Sequence, residues 1–533
     1  MSAVSLPQSD LPGTRRLYAD LLYDYGGVGR FFPHRPSVEA AKDAASDVGL
    51  DARHRQRLVD ELRRQNHDGG AATLANLDRL ASQGTVVVAT GQQVGLLGGP
   101  VFTLYKVLTA VRCAEELTRC GTPAVPVFWL ATEDHDLDEV NHTWVFGPTG
   151  VPRRIEATTE GESGAAVGEV RVLDARLDVA EALFEGMPFA SEAVSLARSA
   201  YGAAPLFGQG FGALYRSLLR ESGIVFLCPM EPGIRELAAP LLRNAIERTP
   251  ELTDALLRRG TSLLAAGYHQ QVHFQASTSL VMLFEDSRRV ALKRENGIYR
   301  AKSRSYSRDE LLGRLAETPL DISPSALLRP VMQDFLLPTA ALVAGPSEAA
   351  YLGQASVLYE KLLGRMPAVL PRASFTVLDS VLSKLLNKYR LSWSDCLVPR
   401  RELEVAIASK VVPSPLQEVL QSERAGIGHS LEQIEKALRS FDPTLADSFE
   451  LSGQKIGYQL DKIQSKVSRE ALRRSETSQL HAAKLADSLY PTDNLQERVY
   501  GVLPFLAKYG LSFVDRVLDA IEPGFADHKV LIQ

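Results

Sequence analysis

The chain has 533 residues, 45% hydrophobic and 23% charged, with a formal net charge of −5, roughly three to four domains' worth of chain. There is no basic excess to suggest nucleic acid or an anionic membrane surface. No apolar run approaches the roughly 18 residues of a membrane span.

Residues 1–84 are assigned to an N-terminal helical segment packing on the core. Val86-Val87-Val88-Ala89 reads as a buried strand. Glycines, glutamines and small residues follow, from Thr90-Gly91-Gln92-Gln93 to Gly98-Gly99-Pro100, and then Phe102, Tyr105, Leu108 and Val111 recur at helical spacing. Free N–H groups at a glycine-rich turn, backed by a helix dipole, suit a phosphate or carboxylate, and Lys106 one turn in is placed to reach back. The alternative is a tight connection without a ligand, though such connections need only about 2–6 residues. Ala124-Val125-Pro126-Val127-Phe128-Trp129-Leu130-Ala131 is a second buried strand. Strand, helix and strand make a βαβ unit with parallel pairing. Ligands of open α/β sheets bind beyond the carboxyl ends of the strands, so Gln92, Gln93 and Lys106 are expected to face Asp134, His135 and Asp136 across one crevice.

The segment Thr132-Glu133-Asp134-His135-Asp136 onward has three readings. If it is helical, His135, Glu139 and His142 share one face, a weak divalent-metal pattern without the His-Glu-x-x-His arrangement. In the catalytic reading His135 is a general acid or base oriented by Asp134 or Asp136, because imidazole titrates near neutral pH. In the structural reading the acids complement a helix N-terminus, which leaves His135 unexplained. A functional site is favoured, with catalysis or substrate binding ahead of metal.

Downstream, residues 147–205 and 285–325 read as insertions. Gly208-Gln209-Gly210-Phe211-Gly212-Ala213 matches a dinucleotide fingerprint, but Tyr201-Gly202-Ala203-Ala204-Pro205 before it is a poor strand. No G-x-x-x-x-G-K-[ST] phosphate loop occurs. Residues 224–228, 280–284 and 340–344 look like further strands of the same sheet. After the last, Gly345 permits close backbone approach, Ser347 is a helix-cap candidate, and Tyr351 lies one turn on. The turn is either a plain cap or a substrate contact.

From Leu416 the character changes. Leu420, Ile427, Leu431, Ile434 and Leu438 fall on a heptad seam, Asp442-Pro443 breaks it, and Phe449, Ile456, Leu460, Ile463 and Val467 resume it. This predicts an antiparallel hairpin over 416–489 within a helical domain of residues 378–490. The second helix outruns the first, and its unpaired length suggests a homodimer. Residues 491–533 are expected to return to the core through Phe505, Leu506, Phe513 and Val514. Cys113, Cys120, Cys228 and Cys396 show no Cys-x-x-Cys pairing, and residues 1–7 lack a charged-then-apolar leader pattern, which points to a cytoplasmic protein with reduced thiols.

Thr90-Gly91-Gln92-Gln93, Gly98-Gly99-Pro100, Phe102-Thr103-Leu104-Tyr105-Lys106 and Phe128-Trp129-Leu130-Ala131-Thr132-Glu133-Asp134-His135-Asp136 resemble the bacillithiol synthases. So do Ala266-Gly267-Tyr268-His269, Leu328-Arg329-Pro330 with Gln333-Asp334, Gly345-Pro346-Ser347-Glu348-Ala349-Ala350-Tyr351, Leu370-Pro371-Arg372 and Leu495-Gln496-Glu497-Arg498. The resemblance spans roughly residues 85–533. It implies an α/β fold, a Rossmann-like parallel-sheet core (85–377) with insertions and a C-terminal coiled-coil domain, and a ligase that adds L-cysteine to malyl-glucosamine by amide formation.

With the residue readings it sets the candidate site: His135, Asp134, Asp136 and Lys106 as catalytic, and Gln92, Gln93, Thr103, Glu133, Glu139, His142, His269, Arg329, Gln333, Gly345, Glu348 and Tyr351 as substrate-binding, with no metal. A free carboxylate is a poor electrophile at neutral pH, so ATP or another nucleotide is a candidate activator. Neither His-x-Gly-His nor a Lys-Met-Ser-Lys-Ser-like loop is present. Two other readings are a metal-dependent hydrolase of a small amide or sugar, and a non-catalytic nucleotide-binding coiled-coil scaffold.

Overall fold

Strand-forming residues at 86–89 are buried on both faces, which a parallel sheet covered by helices requires. In the computed structural model, which describes residues 5–203, 206–302 and 304–533, they lie in the centre strand of a five-stranded parallel sheet. Residues 1–4 of the leader reading, and Ala204 and Pro205 of the poor-strand reading, lie outside the described residues. In chain order the strands are β1 (Val86–Gln93), β2 (Ala124–Ala131), β3 (Val225–Leu227), β4 (Thr339–Ala344) and β5 (Ala368–Pro371), in the spatial order β3-β2-β1-β4-β5. Helix α1 (Phe102–Arg119) crosses from β1 to β2, and α2 (Pro346–Leu362) from β4 to β5.

The period of two is visible in the packing. Val87, Ala89, Val125, Val127 and Trp129 join one large core with residues of the N-terminal helices, among them Leu17, Leu21, Leu58 and Leu62. Val86, Val88, Ala341, Val343 and Leu370 face the other way, against Ala110, Cys113, Ala114 and Leu117 of α1. The chain divides into two compact units, residues 1–148, 152–376 and 497–531 in one, and 149–151, 377–496 and 532–533 in the other.

Two expectations are corrected. Residues 280–284 are not part of the parallel sheet. They lie in Thr278–Glu285 of a separate antiparallel sheet, where they pair with Arg288–Glu295 and Ile322–Pro324. Apolar runs of this length are strand-like in either sheet, and only pairing distinguishes them. The coiled-coil hairpin consists of Ser414–Phe441 and Pro443–Arg473, turned at Asp442, whose carboxylate accepts from Thr444 N at 2.8 Å. Its second helix stops at Arg473, and Ser475 caps a separate helix, Glu476–Leu489. Helix Arg400–Val411 packs on both, so the extra length has a partner inside the chain and gives no argument for a dimer.

Within the first unit, the segment 497–531 is fastened by buried polar contacts. Glu497 accepts from Arg372 Nη2 at 2.6 Å, Ser374 Oγ at 3.0 Å and Phe375 N at 3.0 Å. His528 is fully buried, with Nδ1 2.7 Å from Ser374 Oγ and Nε2 2.9 Å from Thr376 Oγ1. Phe505 packs edge-on against Phe146 and stacks on Phe513.

Burial pushes His528 down from 6.5 to about 4, against the pull of Glu497. Between those values the unfolded chain binds a proton that the folded chain refuses, so stability is lost as pH falls through this window, by up to about 3 kcal/mol. Urea-unfolding midpoints measured from pH 7 to 4 should show this decline, and His528→Asn should flatten it. An equal decline in the variant would assign the effect to other groups.

Candidate active site

The strand order places the topological switch point between β1 and β4, where the crossovers leave in opposite directions and open a crevice at the carboxyl edge. β1 continues through Gln93 and pairs with β2 along all 8 residues. Thr90-Gly91-Gln92-Gln93 is therefore strand, and the turn begins at Val94. Four of its amides are committed within the protein. Gly98 N donates to Gly95 O, Gly99 N to Leu96 O, Leu97 N to Tyr201 Oη and Val101 N to Tyr500 O. Gly98 and Gly99 adopt φ of 92° and 65°, and a Cβ on Gly95 would lie 2.8 Å from Gly99 Cα. The glycines permit backbone-on-backbone packing, and the turn is not the anion cradle expected from composition. Thr103 is fully buried beside it.

Lys106 is 1% exposed. Its ammonium donates to Gly91 O, to Gln92 Oε1 at 3.3 Å and to the Glu348 carboxylate, so three donors have three partners. Burial lowers its pKa, and the Glu348 charge opposes that. The lysine joins α1 to α2 and holds Gln92 and Glu348 at the crevice; it does not present a free charge to a ligand. Glu348 also accepts from Gly345 N at 3.0 Å and from Tyr351 Oη at 3.4 Å. Arg329 Nη2 donates to Tyr351 Oη at 2.6 Å, and its Nη1 lies 3.6 Å from where a Cβ on Gly91 would stand. The structure thus brings together Gln92, Lys106, Arg329, Gly345, Glu348 and Tyr351. It does not bring Gln333 there, which is buried and donates to Asp334 at 3.1 Å. The described side-chain partner of His269 is the neighbouring Gln271, at 3.0 Å.

Beyond β2, Glu133 is buried and accepts from Arg235 Nη2 at 2.6 Å. Gln93 Nε2 donates to Asp134 Oδ2 at 2.6 Å and Glu139 Oε2 at 2.9 Å, which fixes the Asp134 carboxylate. His135 stands at the rim, 42% exposed, with Nδ1 3.7 Å from Asp134 Oδ1. Burial and then the Arg289 charge lower its pKa, against Asp134 and Asp136, and favour the neutral imidazole. Asp136 accepts from Glu139 N at 3.2 Å as the cap of a single helical turn, Leu137–Val140. That turn is too short for the proposed metal face, since His135 precedes it and His142 opens the strand His142–Phe146. Among the described residues no group of three His, Cys, Asp or Glu is placed to hold a metal.

Two arginines at this edge escaped the sequence reading: Arg235 on Pro232–Glu247 and Arg289 on the antiparallel sheet. No local motif marks either, and only folding carries them to Glu133. The dinucleotide-like glycines are explained by packing in helix Phe207–Leu218, where a Cβ on Gly208 would lie 3.0 Å from Gly168 Cα.

A parallel sheet in this order with a polar switch-point crevice, and a unit of long antiparallel helices, define a Rossmann-like protein with a coiled-coil domain. The chain belongs to the BshC family of bacillithiol biosynthesis. The family's N-terminal Rossmann-like domain matches residues 2–373 and its C-terminal coiled-coil domain residues 375–533. The chain is 43% identical over 533 residues to a protein of Solibacter usitatus, covering 100% of both chains. It is 36% identical over 517 residues to one of Koribacter versatilis, covering 97% of each. With one of Bacillus cytotoxicus it shares 29% identity over 473 residues, 87% of this chain and 88% of that one. All three bear the name "Putative cysteine ligase BshC".

Lys106→Ala leaves the Glu348 carboxylate and the Gly91 carbonyl without their cation, a loss of about 3–5 kcal/mol in folding stability. Lys106→Met combined with Glu348→Gln should recover much of it in chemical denaturation. Wild-type stability of Lys106→Ala, with only ligand affinity reduced, would return the lysine to a direct binding role.

Proposed function

We propose that this protein forms the amide bond between the carboxyl group of L-cysteine and the amine of malyl-glucosamine, the last step of bacillithiol biosynthesis. The observation that carries this reading is the family match along nearly the whole chain, coupled to a polar crevice at the switch point. The sugar amine is protonated at neutral pH and must lose a proton before its nitrogen attacks the carboxyl carbon. His135, held neutral by burial and the Arg289 charge and lying near Asp134 at the rim, is placed to act as that base. Gln92, Glu348 and Tyr351 offer hydrogen-bonding groups inside the crevice to fix the substrates.

The cysteine carboxylate needs an activated form, and ATP or another nucleotide is proposed on that chemical ground alone. The amides of Leu97, Gly98, Gly99 and Val101 in the glycine-rich turn are already paired, which argues against a nucleotide phosphate on them. We further propose a cytoplasmic homodimer joined through the hairpin. Ile434, Ile456 and Ile463, all on the predicted seam, are 46%, 39% and 49% exposed. Such a row of apolar side chains on a narrow helix pair is a surface for a second copy.

Purified protein should convert cysteine and malyl-glucosamine to the thiol product in a coupled assay run with and without ATP while AMP and ADP are followed. His135→Ala should lower turnover by about 10²–10⁴ with the fold intact, whereas Asp136→Asn, which keeps a helix cap, should stay within a few fold. Absence of any thiol product under both conditions would remove the ligase reading. For the dimer, Ile456→Glu with Ile463→Glu should sediment as a folded monomer, and unchanged sedimentation would reject the hairpin interface.

A further inference from the structure

The antiparallel sheet brings a charge to the crevice that the parallel sheet lacks. Asp286 and Ser287 turn with φ of 49° and 62°, and the strand that follows begins with Arg288 and Arg289. Arg289 Nε donates to Ser323 Oγ at 3.0 Å and Nη2 to Pro324 O at 2.6 Å, which fixes the guanidinium. Its backbone N donates to Gly164 O at 2.7 Å, and Arg288 pairs with Glu162 at 2.7 Å. The same strap then turns to the loop after β2, where Val167 N donates to Asp134 O at 2.6 Å and Gly168 N to Thr132 O at 2.9 Å. Gly168 fits only without a side chain, since a Cβ would stand 2.4 Å from Thr132 Cβ. Residues 162–168 therefore tie Arg289 to the loop that carries Glu133, Asp134 and His135.

The cations of this edge fall into two groups. Arg235 is matched by Glu133, Lys106 by Glu348 and Arg372 by Glu497. Arg289 and Arg329 make no ion pair among the described residues, and their side-chain partners are a hydroxyl, a carbonyl and a phenol. The acids nearest in charge to Arg289 are Glu133 and Asp134, already engaged with Arg235 and Gln93. Arg235 Nε is a buried donor without a hydrogen-bond partner among the described residues. Two immobilised guanidiniums that lack a carboxylate partner among the described residues suit an anion with two acceptor groups, and planar forks match carboxylates.

We propose that Arg289 and Arg329 bind the two carboxylates of the malyl arm, so that the inserted sheet selects the acceptor. The identity of the arm rests on the ligase reading; the charge of the ligand does not.

Isothermal titration of the full-length protein with malyl-glucosamine, L-malate, glucosamine, inorganic phosphate and ATP provides the test. Arg289→Gln should weaken malyl-glucosamine and L-malate roughly ten- to a hundredfold while leaving glucosamine and ATP unchanged. Arg289→Lys, which keeps the charge and loses the fork, should weaken them by less and guards against a folding defect in the first variant. In kinetics the change should appear in KM for the acceptor and leave KM for cysteine alone. Wild-type affinity for L-malate in both variants overturns the proposal, as does a loss confined to phosphate or ATP, which would make the pair a phosphate site. Arg289-dependent malate binding by a protein that makes no thiol product would sink the ligase reading and keep the dianion site. Product formation with unaltered acceptor KM in both variants does the reverse.

Discussion

The site depends on one buried ammonium. Lys106, on the first crossover helix, is buried against the second, and a charge there is tolerable only because a carbonyl, an amide oxygen and a carboxylate surround it. These partners come from β1 and from α2, so satisfying the lysine sets the distance between the two elements that border the switch point. Glu348, held in this way, receives Tyr351, and Tyr351 receives Arg329. The crevice is shaped by electrostatic satisfaction as much as by apolar packing.

Around that centre the rest of the chain supplies what a bare parallel sheet cannot. The inserted antiparallel sheet contributes Arg289, and the strap at 162–168 fixes it to the loop after β2. The segment 497–531 returns Glu497 to Arg372, whose Nε lies 3.3 Å from where a Cβ on Gly345 would stand. The inserted sheet and the returning C-terminal segment thus each bring a charged group near this edge. This is how membership of a biosynthetic ligase family and a Rossmann-like sheet fit together, for the sheet positions and the additions give chemical character.

One cause separates several expectations of local sequence from the fold: a pattern does not show which partner uses it. The glycines at 95, 98 and 99 looked like an anion cradle because composition reports backbone freedom and not what uses it. Here the turn is pressed against Tyr201, Tyr215 and Tyr500, which take its polar groups. Lys106 looked free to bind a ligand because the sequence does not show that Glu348, far along the chain, faces it. The histidine-carboxylate face at 135–142 assumed a helix, but Asp136 caps a single turn and a strand starts at His142. The hairpin's extra length is matched inside the chain by helix Arg400–Val411, which packs along it.

The sequence by itself determined the strands and helices of the central βαβ unit, the heptad hairpin and the family, because these rest on periodicities of two and about three and a half and on contiguous motifs. It also named most of the residues that meet at the switch point. Tertiary structure alone decided which charges are already spent. Lys106 with Glu348 and Arg235 with Glu133 are pairs 242 and 102 positions apart, and an ion pair depends on distance in space, which local sequence pattern does not encode. The same reason hid Arg289, whose role is set by the strand pairing and the strap that bring it to Glu133.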